Sequence, residues 1–598
     1  MQFPAYLENL ALLEQEYPFP VPGGLRITHR LYLHWLLWPY FQKNFDLQTP
    51  GGRNDYLYWW LMSGRKRFGW NPFIYEQGNG YWEQPVSEVP ELQDKALTRL
   101  LYLVWWGRKD RQTDFALKDD AGCEKFARWY LDWGGKSVAL PPGSILLSAY
   151  WDALEPREQG AQGPLSRLQR LFHERDATLQ ERFDLQSPDN RIAYAAWFAK
   201  NRGALLSTVS GTDAQESEPG PPVIKRTGSF KQGGVNIIGF ARGELGIGED
   251  VRMAAASLRS VKTPFVVLDA PLDIRSRCGN NALDSDIVAE PVYSANLIYM
   301  PCLETLRLFL SKGGCYFPGR YNIATWQWEL ARRPPEWTPV FGLVREVWAP
   351  TRFIAGAMEE NAPVPVRLMP LAVSLPLVEN CSRSDFSLPK DAFLFIFMFD
   401  SNSRFGRKNP LAVVEAFKRA FPGRDDNVGL VIKAMYCNDN DPGWLDLLTA
   451  IQGDKRVHII NETLAPALVM GLLQQCDALV SLHRSEGFGR TMAEALLLEK
   501  GVIASAYSGN LDFTTPDTAY LVEGRIIPVP DDAYPFFRGQ VWFDPDLDHA
   551  AHMMRICAQD SAQRRMKNRA GKRLIEERFS PAAVGKLQTA RLRELGIV

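Results

Sequence analysis

Between residues 235 and 506 the chain repeats one pattern: a short apolar run, a turn, then a helix-length segment. That alternation restricts the fold more than any other feature. Two neighbouring strands can lie parallel only if the chain crosses back over the sheet between them, and a helix makes that crossing. The runs at 235–241, 264–269, 295–300, 321–326 and 345–349 predict one parallel sheet, and those at 393–399, 429–434, 457–460, 478–482 and 501–506 predict a second. The expected class is α/β, with Rossmann-like domains at 235–376 and 377–598 and a boundary near 371–389.

With 598 residues the chain needs more than these two domains to account for its length. Residues 207–234 turn to Ser, Thr, Gly, Pro and Glu, a composition that predicts a linker. Ahead of it, residues 1–206 are rich in aromatics and carry an internal repeat. Phe45, Phe115 and Phe183 stand 70 and 68 residues apart in a shared Gln-x-x-Phe-x-Leu pattern. Trp59, Trp129 and Trp197 each follow 14 residues later, and then Gly64, Gly134 and Gly203. Each unit predicts a helix, a Phe-x-Leu corner and a second helix that places its tryptophan in the core and stops at the glycine. Thr28, Thr98 and Ser166 are the expected N-caps of the first helices. Such an all-α region of three helical pairs would stack as a short solenoid and offer a docking surface to a second copy or a protein partner.

The balance of charge, a formal −1, gives no overall attraction to nucleic acid. The 8 cysteines form no Cys-x-x-Cys and do not cluster with the 7 histidines, so neither a disulfide framework nor a zinc site is expected. The amino terminus, Met1 to Ala5, has no basic and apolar leader, and no run reaches the ~18 apolar residues of a membrane span. A cytoplasmic protein is expected, at most in peripheral contact with the inner face of a membrane.

The apolar run at 478–482 leads into Ser485-Glu486-Gly487-Phe488-Gly489, and residues 491–499 predict a helix. Glu486 then lies in the turn at a strand's carboxyl end, and Glu494 one to two turns into the helix. Ligands of open α/β sheets bind at that edge. Carboxylates accept hydrogen bonds from sugar hydroxyls, while unpaired N–H groups at a helix start favour phosphate. One cleft there could hold both ends of a nucleotide sugar. Gly246 and Gly248 follow the first strand, where backbone N–H groups could approach the same ligand. The loop after the strand at 393–399 carries Arg404, Arg407 and Lys408, and Lys433 ends the next strand. Adjacent cations can neutralise charge growing on a departing diphosphate.

The stretch His483-Arg484-Ser485-Glu486-Gly487-Phe488-Gly489, then Glu494-Ala495, then Tyr507-Ser508-Gly509-Asn510-Leu511-Asp512-Phe513 resembles the donor site of family 4 glycosyltransferases. These are retaining enzymes of the GT-B fold, in which two Rossmann-like domains face a cleft and a last helix crosses back to the first domain. The resemblance spans about residues 234–598. It implies that Glu494 holds the nucleotide ribose, Glu486 the donor sugar within the Gly487-Phe488-Gly489 turn, and Arg407 and Lys408 the diphosphate. Arg404 competes for the arginine role, Lys433 is a third cation, and His483 touches the donor sugar or the cleft wall. The loop of Gly246 and Gly248 faces the donor.

Segments 321–330 and 346–351 resemble the acceptor side, where Trp326 could stack on a sugar ring and Glu329 bind its hydroxyls. The implied partners are a nucleotide sugar and a glycan or lipid-linked acceptor, with neither metal nor cofactor. Base, sugar and linkage stay open. Two other readings stand beside this one: a different nucleotide-sugar enzyme of the same fold, such as an epimerase or phosphorylase, or an interaction scaffold with an inactive transferase region.

Overall fold

The computed structural model describes residues 6, 10–68, 80–89, 92, 97–132, 148–154, 156–210, 230–271, 277–376, 380–423 and 426–598. The chain divides into two compact units, Asn9–Val223 and Met1–Glu8 with Ile224–Val598.

The first unit is helical. Helices α1 (His29–Leu37), α2 (Arg99–Gly107) and α4 (Arg167–Arg175) start at Thr28, Thr98 and Ser166, and each cap's hydroxyl accepts a hydrogen bond from the backbone N–H three residues on. Helix α3 (Asp120–Asp132) precedes α4, and α5 (Pro188–Ser210) follows it. One set of contacts recurs around the Phe-x-Leu corners. Trp35 Nε1 donates to the Phe45 carbonyl at 2.9 Å, Trp105 Nε1 to Phe115 at 2.8 Å, and His173 Nε2 bonds Phe183 at 2.8 Å. Gln42, Gln112 and Gln180 donate to the carbonyls of Leu36, Trp106 and Glu174. Trp59, Trp129 and Trp197 are partly buried against the unit's core. Gly64 and Gly203 do not stop the second helices. A π-helical turn at Trp60–Gly64 runs on into another helical turn, and α5 continues through Gly203 to Ser210. A single glycine weakens a helix by only about 1 kcal/mol, which packing overrides. Gly134 and residues 211–229 of the expected linker lie outside the described residues.

The second unit holds two six-stranded parallel sheets. The first, β1 (Val235–Gly239), β2 (Phe265–Asp269), β3 (Ala295–Tyr299), β4 (Tyr321–Ala324), β5 (Glu346–Ala349) and β6 (Val366–Leu368), has the order β2-β1-β3-β4-β5-β6. The second, β7 (Phe393–Asp400), β8 (Val428–Met435), β9 (Val457–Asn461), β10 (Ala478–Ser481), β11 (Gly501–Ser505) and β12 (Tyr520–Val522), has the order β12-β11-β10-β7-β8-β9. The chain reverses its direction of travel between β7 and β10, which opens a crevice beyond their carboxyl ends. An antiparallel hairpin, β13 (Gly524–Pro528) with β14 (Val541–Pro545), is added after β12. Two Rossmann-like domains facing a cleft, with a returning last helix, make this the GT-B architecture. That helix, α9 (Pro581–Glu594), packs on α6 (Gly246–Ser260) of the first domain. Thr589 and Thr263 hydroxyls bond at 2.7 Å, and Arg591 pairs with Glu346, which is fully buried.

Inside the first sheet three buried asparagines bond in a row. Asn236 Nδ2 donates to Asn296 Oδ1 at 2.8 Å, Asn296 Nδ2 to Asn322 Oδ1 at 2.6 Å, and Asn322 Nδ2 to the Phe317 carbonyl at 3.1 Å. The row ties β1, β3 and β4 together in one register, because a slipped strand would leave buried amides unpaired. Asn296→Ala should lower stability by ~1–3 kcal/mol by orphaning the Asn322 carbonyl oxygen. Urea unfolding of the full chain checks this, and an unchanged midpoint would show that the row adds nothing.

Candidate functional site

A cleft of about 510 Å3 opens where the carboxyl ends of β7, β8 and β10 face the start of α6. Its chemistry begins at the end of β7. Asp400 accepts a hydrogen bond from the Asn402 N–H at 2.8 Å and bends the chain into the one-turn helix α7 (Phe405–Lys408). Asn409, in the left-handed region at φ 57°, ends that turn, and its Nδ2 donates to the Leu482 carbonyl at 3.0 Å. The two loops at the crevice are thereby joined, and the joint delivers Arg407 and Lys408 to Glu486.

Lys408 Nζ lies 2.5 Å and Arg407 Nη1 3.2 Å from Glu486 Oε1. Burial alone would raise the Glu486 carboxyl's pKa, but Lys408 and Arg407 outweigh it and hold the group at about 2. Burial works against the Arg407 charge too, and Glu486 again prevails, so the guanidinium stays protonated. Only Lys408 of the pair lines the cleft; Arg407 is buried behind it and donates to the Ser485 carbonyl at 2.8 Å. The cluster holds one carboxylate and two cations, and Glu329 and Asp400 also act on its arginine and its lysine.

The turn after β10 is shaped by close backbone approach. The Glu486 N–H donates to Ser508 Oγ at 2.8 Å, and Gly509 is pressed so near that a Cβ would stand 1.8 Å from the Gly487 carbonyl oxygen. Gly489, at φ 92°, turns the chain into helix α8 (Arg490–Leu497). Gly487, Phe488 and Gly489 line the cleft, and Phe488 rests on Phe513 and Phe579. Glu494 reaches the same cleft from α8, half-buried, with no hydrogen-bond partner among the described residues. Burial raises its carboxyl to about 7, with Arg490 opposing and Glu249 adding to the shift. Lys433 lines the floor, donates to the Ala434 carbonyl at 3.2 Å, and is pulled downward by burial, with Asp400 opposing.

The first domain contributes Gly246 and Glu329 to the lining. Glu329 Oε2 accepts from Tyr534 Oη at 2.7 Å. Several expected residues lie elsewhere. Gly248 is buried one step further into α6, where a Cβ would meet the Gly243 carbonyl oxygen at 2.2 Å. Trp326 is fully buried, packs edge-on against Phe341 and donates to Thr305 Oγ1 at 3.1 Å, so its faces are closed to a sugar. Glu346 and Trp348 are likewise internal, bonded to each other at 2.8 Å. His483 is fully buried between Ser481 Oγ at 2.9 Å and Asn510 Oδ1 at 3.0 Å, outside the lining. It braces the turn rather than touching a ligand. Arg404 is exposed, at φ 70°, and the lining does not include it.

Sequence reasoning missed a set of contacts that spans the cleft. Arg490 pairs with the buried Asp250, which also accepts from Gln327 Nε2 at 3.0 Å. Thr351 Oγ1 donates to the Gly487 carbonyl at 2.9 Å, and Ser485 Oγ donates to the Glu329 carbonyl. Arg490 stands directly after the glutamate turn, which is the one local signal available; Asp250 lies in a helix face that reads as surface. Among the described residues no cluster of His, Cys, Asp or Glu could hold a metal ion, and no helix is long and apolar enough to cross a membrane.

Residues 384–533, most of the second α/β domain, match the family model for glycosyl transferases group 1. That domain is thus similar to group 1 glycosyl transferases. No curated protein matches the chain. Among solved structures, a glycosyltransferase of Rickettsia africae is 12% identical, with 60% of this chain and 98% of that one covered and a TM-score of 0.44. Anabaena HepE, solved with UDP and glucose, is 12% identical over 60% and 99% of the two chains, at a TM-score of 0.44. Sucrose-phosphate synthase of Thermosynechococcus elongatus is 15% identical over 60% and 99%, at 0.45.

The two glutamates should respond oppositely to pH. Glu494 is raised in the folded state from 4.5 to about 7, so its ionisation opposes folding increasingly as pH rises through that window. Glu494→Gln should therefore raise the melting temperature of the free protein more at pH 8 than at pH 4.5. Glu486 is depressed from 4.5 to about 2, so its contribution is full above the upper value and fades as pH falls through the lower. Glu486→Gln should destabilise at neutral pH by ~1–3 kcal/mol, since it strands two partly buried cations. Scanning calorimetry of both variants is the check, and equal shifts at the two pH values for Glu494→Gln would refute its assignment.

Proposed function

We propose that the unit Ile224–Val598 is a retaining glycosyltransferase that moves a sugar from a nucleoside diphosphate to a hydroxyl of a glycan or lipid-linked acceptor, in the synthesis of a bacterial surface polysaccharide. The observation that carries this reading is the cationic cluster of Lys408, Arg407 and Glu486 sharing one cleft with an unpartnered Glu494. A nucleotide sugar has the matching sequence of groups: a ribose diol for Glu494, a diphosphate for Lys408, and sugar hydroxyls for Glu486. The resemblance to family 4 enzymes and the match of residues 384–533 to group 1 glycosyl transferases support it.

In the proposed reaction the anomeric C–O bond to the diphosphate breaks and a bond to the acceptor oxygen forms on the same face. The departing phosphate oxygen takes the acceptor proton. Lys408, backed by Arg407, supplies the positive charge where negative charge grows, so the reading requires neither metal nor cofactor. Glu329 faces the cavity from the first domain and is suited to accept a hydrogen bond from an acceptor hydroxyl. The helical unit is proposed to serve as a docking region, made of three related repeats.

Calorimetric titration with GDP, UDP and ADP tests the donor site. One of them should bind, and Glu494→Gln should weaken it by ~1–3 kcal/mol, because an amide accepts fewer hydrogen bonds from the diol than a carboxylate. Lys408→Ala should lower donor turnover far more than nucleotide affinity, since its charge acts most in the transition state. Failure of all three nucleotides to bind would overturn the reading, and so would full turnover by Lys408→Ala at saturating donor.

A further inference from the structure

The helical unit contains a second cavity, of about 280 Å3, between α3 and α4. Five cations face it: Lys125 and Arg128 from α3, Arg167 and Arg170 from α4, and Arg157 from the segment before α4. Two carboxylates line it as well, Glu124 and Glu174, and both are already engaged. The Tyr150 hydroxyl donates to Glu124, and Arg128 pairs with Glu174. Arg167 has no carboxylate partner among the described residues; it donates to the Tyr150 carbonyl at 3.3 Å and lies 4.4 Å over the Tyr150 ring. Arg170 is held from behind by Glu158, whose side chain is 1% exposed and also pairs with Arg191. Arg167 and Arg170 are therefore pre-placed by the fold, and Arg167 and Lys125, neither with a carboxylate partner among the described residues, leave positive charge for a ligand. Trp151 and Leu171, both buried, supply an apolar wall.

We propose that this cavity binds one anionic monosaccharide unit, phosphorylated or carboxylated. A volume of about 280 Å3 falls just below the ~300–1,000 Å3 of drug-sized ligand pockets and suits a ligand no larger than one sugar ring with its charged group. Arginines present the planar forks that phosphate and carboxylate both fit. This assignment uses no residue of the β7–β10 cleft and stands or falls independently of the proposed transfer reaction.

Titration of the full chain with glucose 6-phosphate and with glucuronate, beside glucose and inorganic phosphate, tests it. The anionic sugars should bind saturably and more weakly as salt rises. Lys125 is exposed and Arg128 half of a surface pair, so Lys125→Glu and Arg128→Gln should fold, which circular dichroism verifies. Each should weaken binding by roughly tenfold or more. Binding equal to the parent's in both variants, or absent for both anionic sugars, would overturn the proposal. Inorganic phosphate binding as tightly as glucose 6-phosphate would overturn the sugar-sized ligand.

Discussion

A carboxylate held between two cations, Glu486 between Lys408 and Arg407, is the interaction on which the second unit's site depends. It joins the loop after β7 to the loop after β10, the two loops that flank the crevice of a doubly wound sheet. Like most buried ion pairs it adds little net stability over an apolar contact, because desolvation offsets the Coulomb attraction. Its value lies in position. Once the carboxylate is fixed by the Ser508 hydroxyl on its own N–H and by two cations on its oxygen, Lys408 can face the cavity in only one place. Asn409, bonding Leu482, and Arg407, bonding Ser485, make the same joint with backbone groups.

The second α/β domain carries this cluster, but the cleft is closed by its partner. Asp250 on α6 meets Arg490 on α8, and the Thr351 and Ser485 hydroxyls each donate to a carbonyl across the gap. On the far side α9 returns to α6 and ends with Arg591 on the fully buried Glu346. The segment between β13 and β14 adds Tyr534 on Glu329, and Gln540, whose side chain donates to the Arg332 carbonyl at 2.7 Å. These polar, directional links stand beside an apolar core that the two domains share, in which Leu371 and Val373 cluster with Phe488, Phe513 and Phe579.

The strands were legible in the sequence because parallel strands buried on both faces are continuous apolar runs, and β7, Phe393–Asp400, is as plain a case as β10. The glutamate turn was legible because its glycines mark where the backbone must fold on itself. The errors have physical causes of their own. Trp326, a large aromatic at the end of a strand, looks the same in sequence whether it lines a cleft or fills a core, and here Phe341 and Thr305 close over it. His483 lies within the motif, yet its ring is consumed by Ser481 and Asn510. Arg404 and Arg407 could not be told apart by charge; the turn of α7, which starts after Arg404, buries Arg407 and leaves Arg404 exposed. Tyr534 stands in a stretch of Pro and Asp that reads as a simple loop, because its partner Glu329 is 205 residues away.

The two glutamates eight apart are chemically alike and electrostatically opposed. Lys408 and Arg407 hold the Glu486 carboxyl at about 2, whereas burial, with Glu249 adding to it, raises that of the half-buried Glu494 to about 7. A diol placed against Glu494 would supply the donors that the fold withholds, and so would favour its ionised form. Ligand binding at that end should then release a proton around neutrality, whereas the Glu486 end should release none. The asymmetry follows from which cations the fold assigns to which carboxylate: Arg490, the one nearest Glu494, is already committed to Asp250. Holding the domains together and leaving Glu494 without a hydrogen-bond partner among the described residues are thus one arrangement.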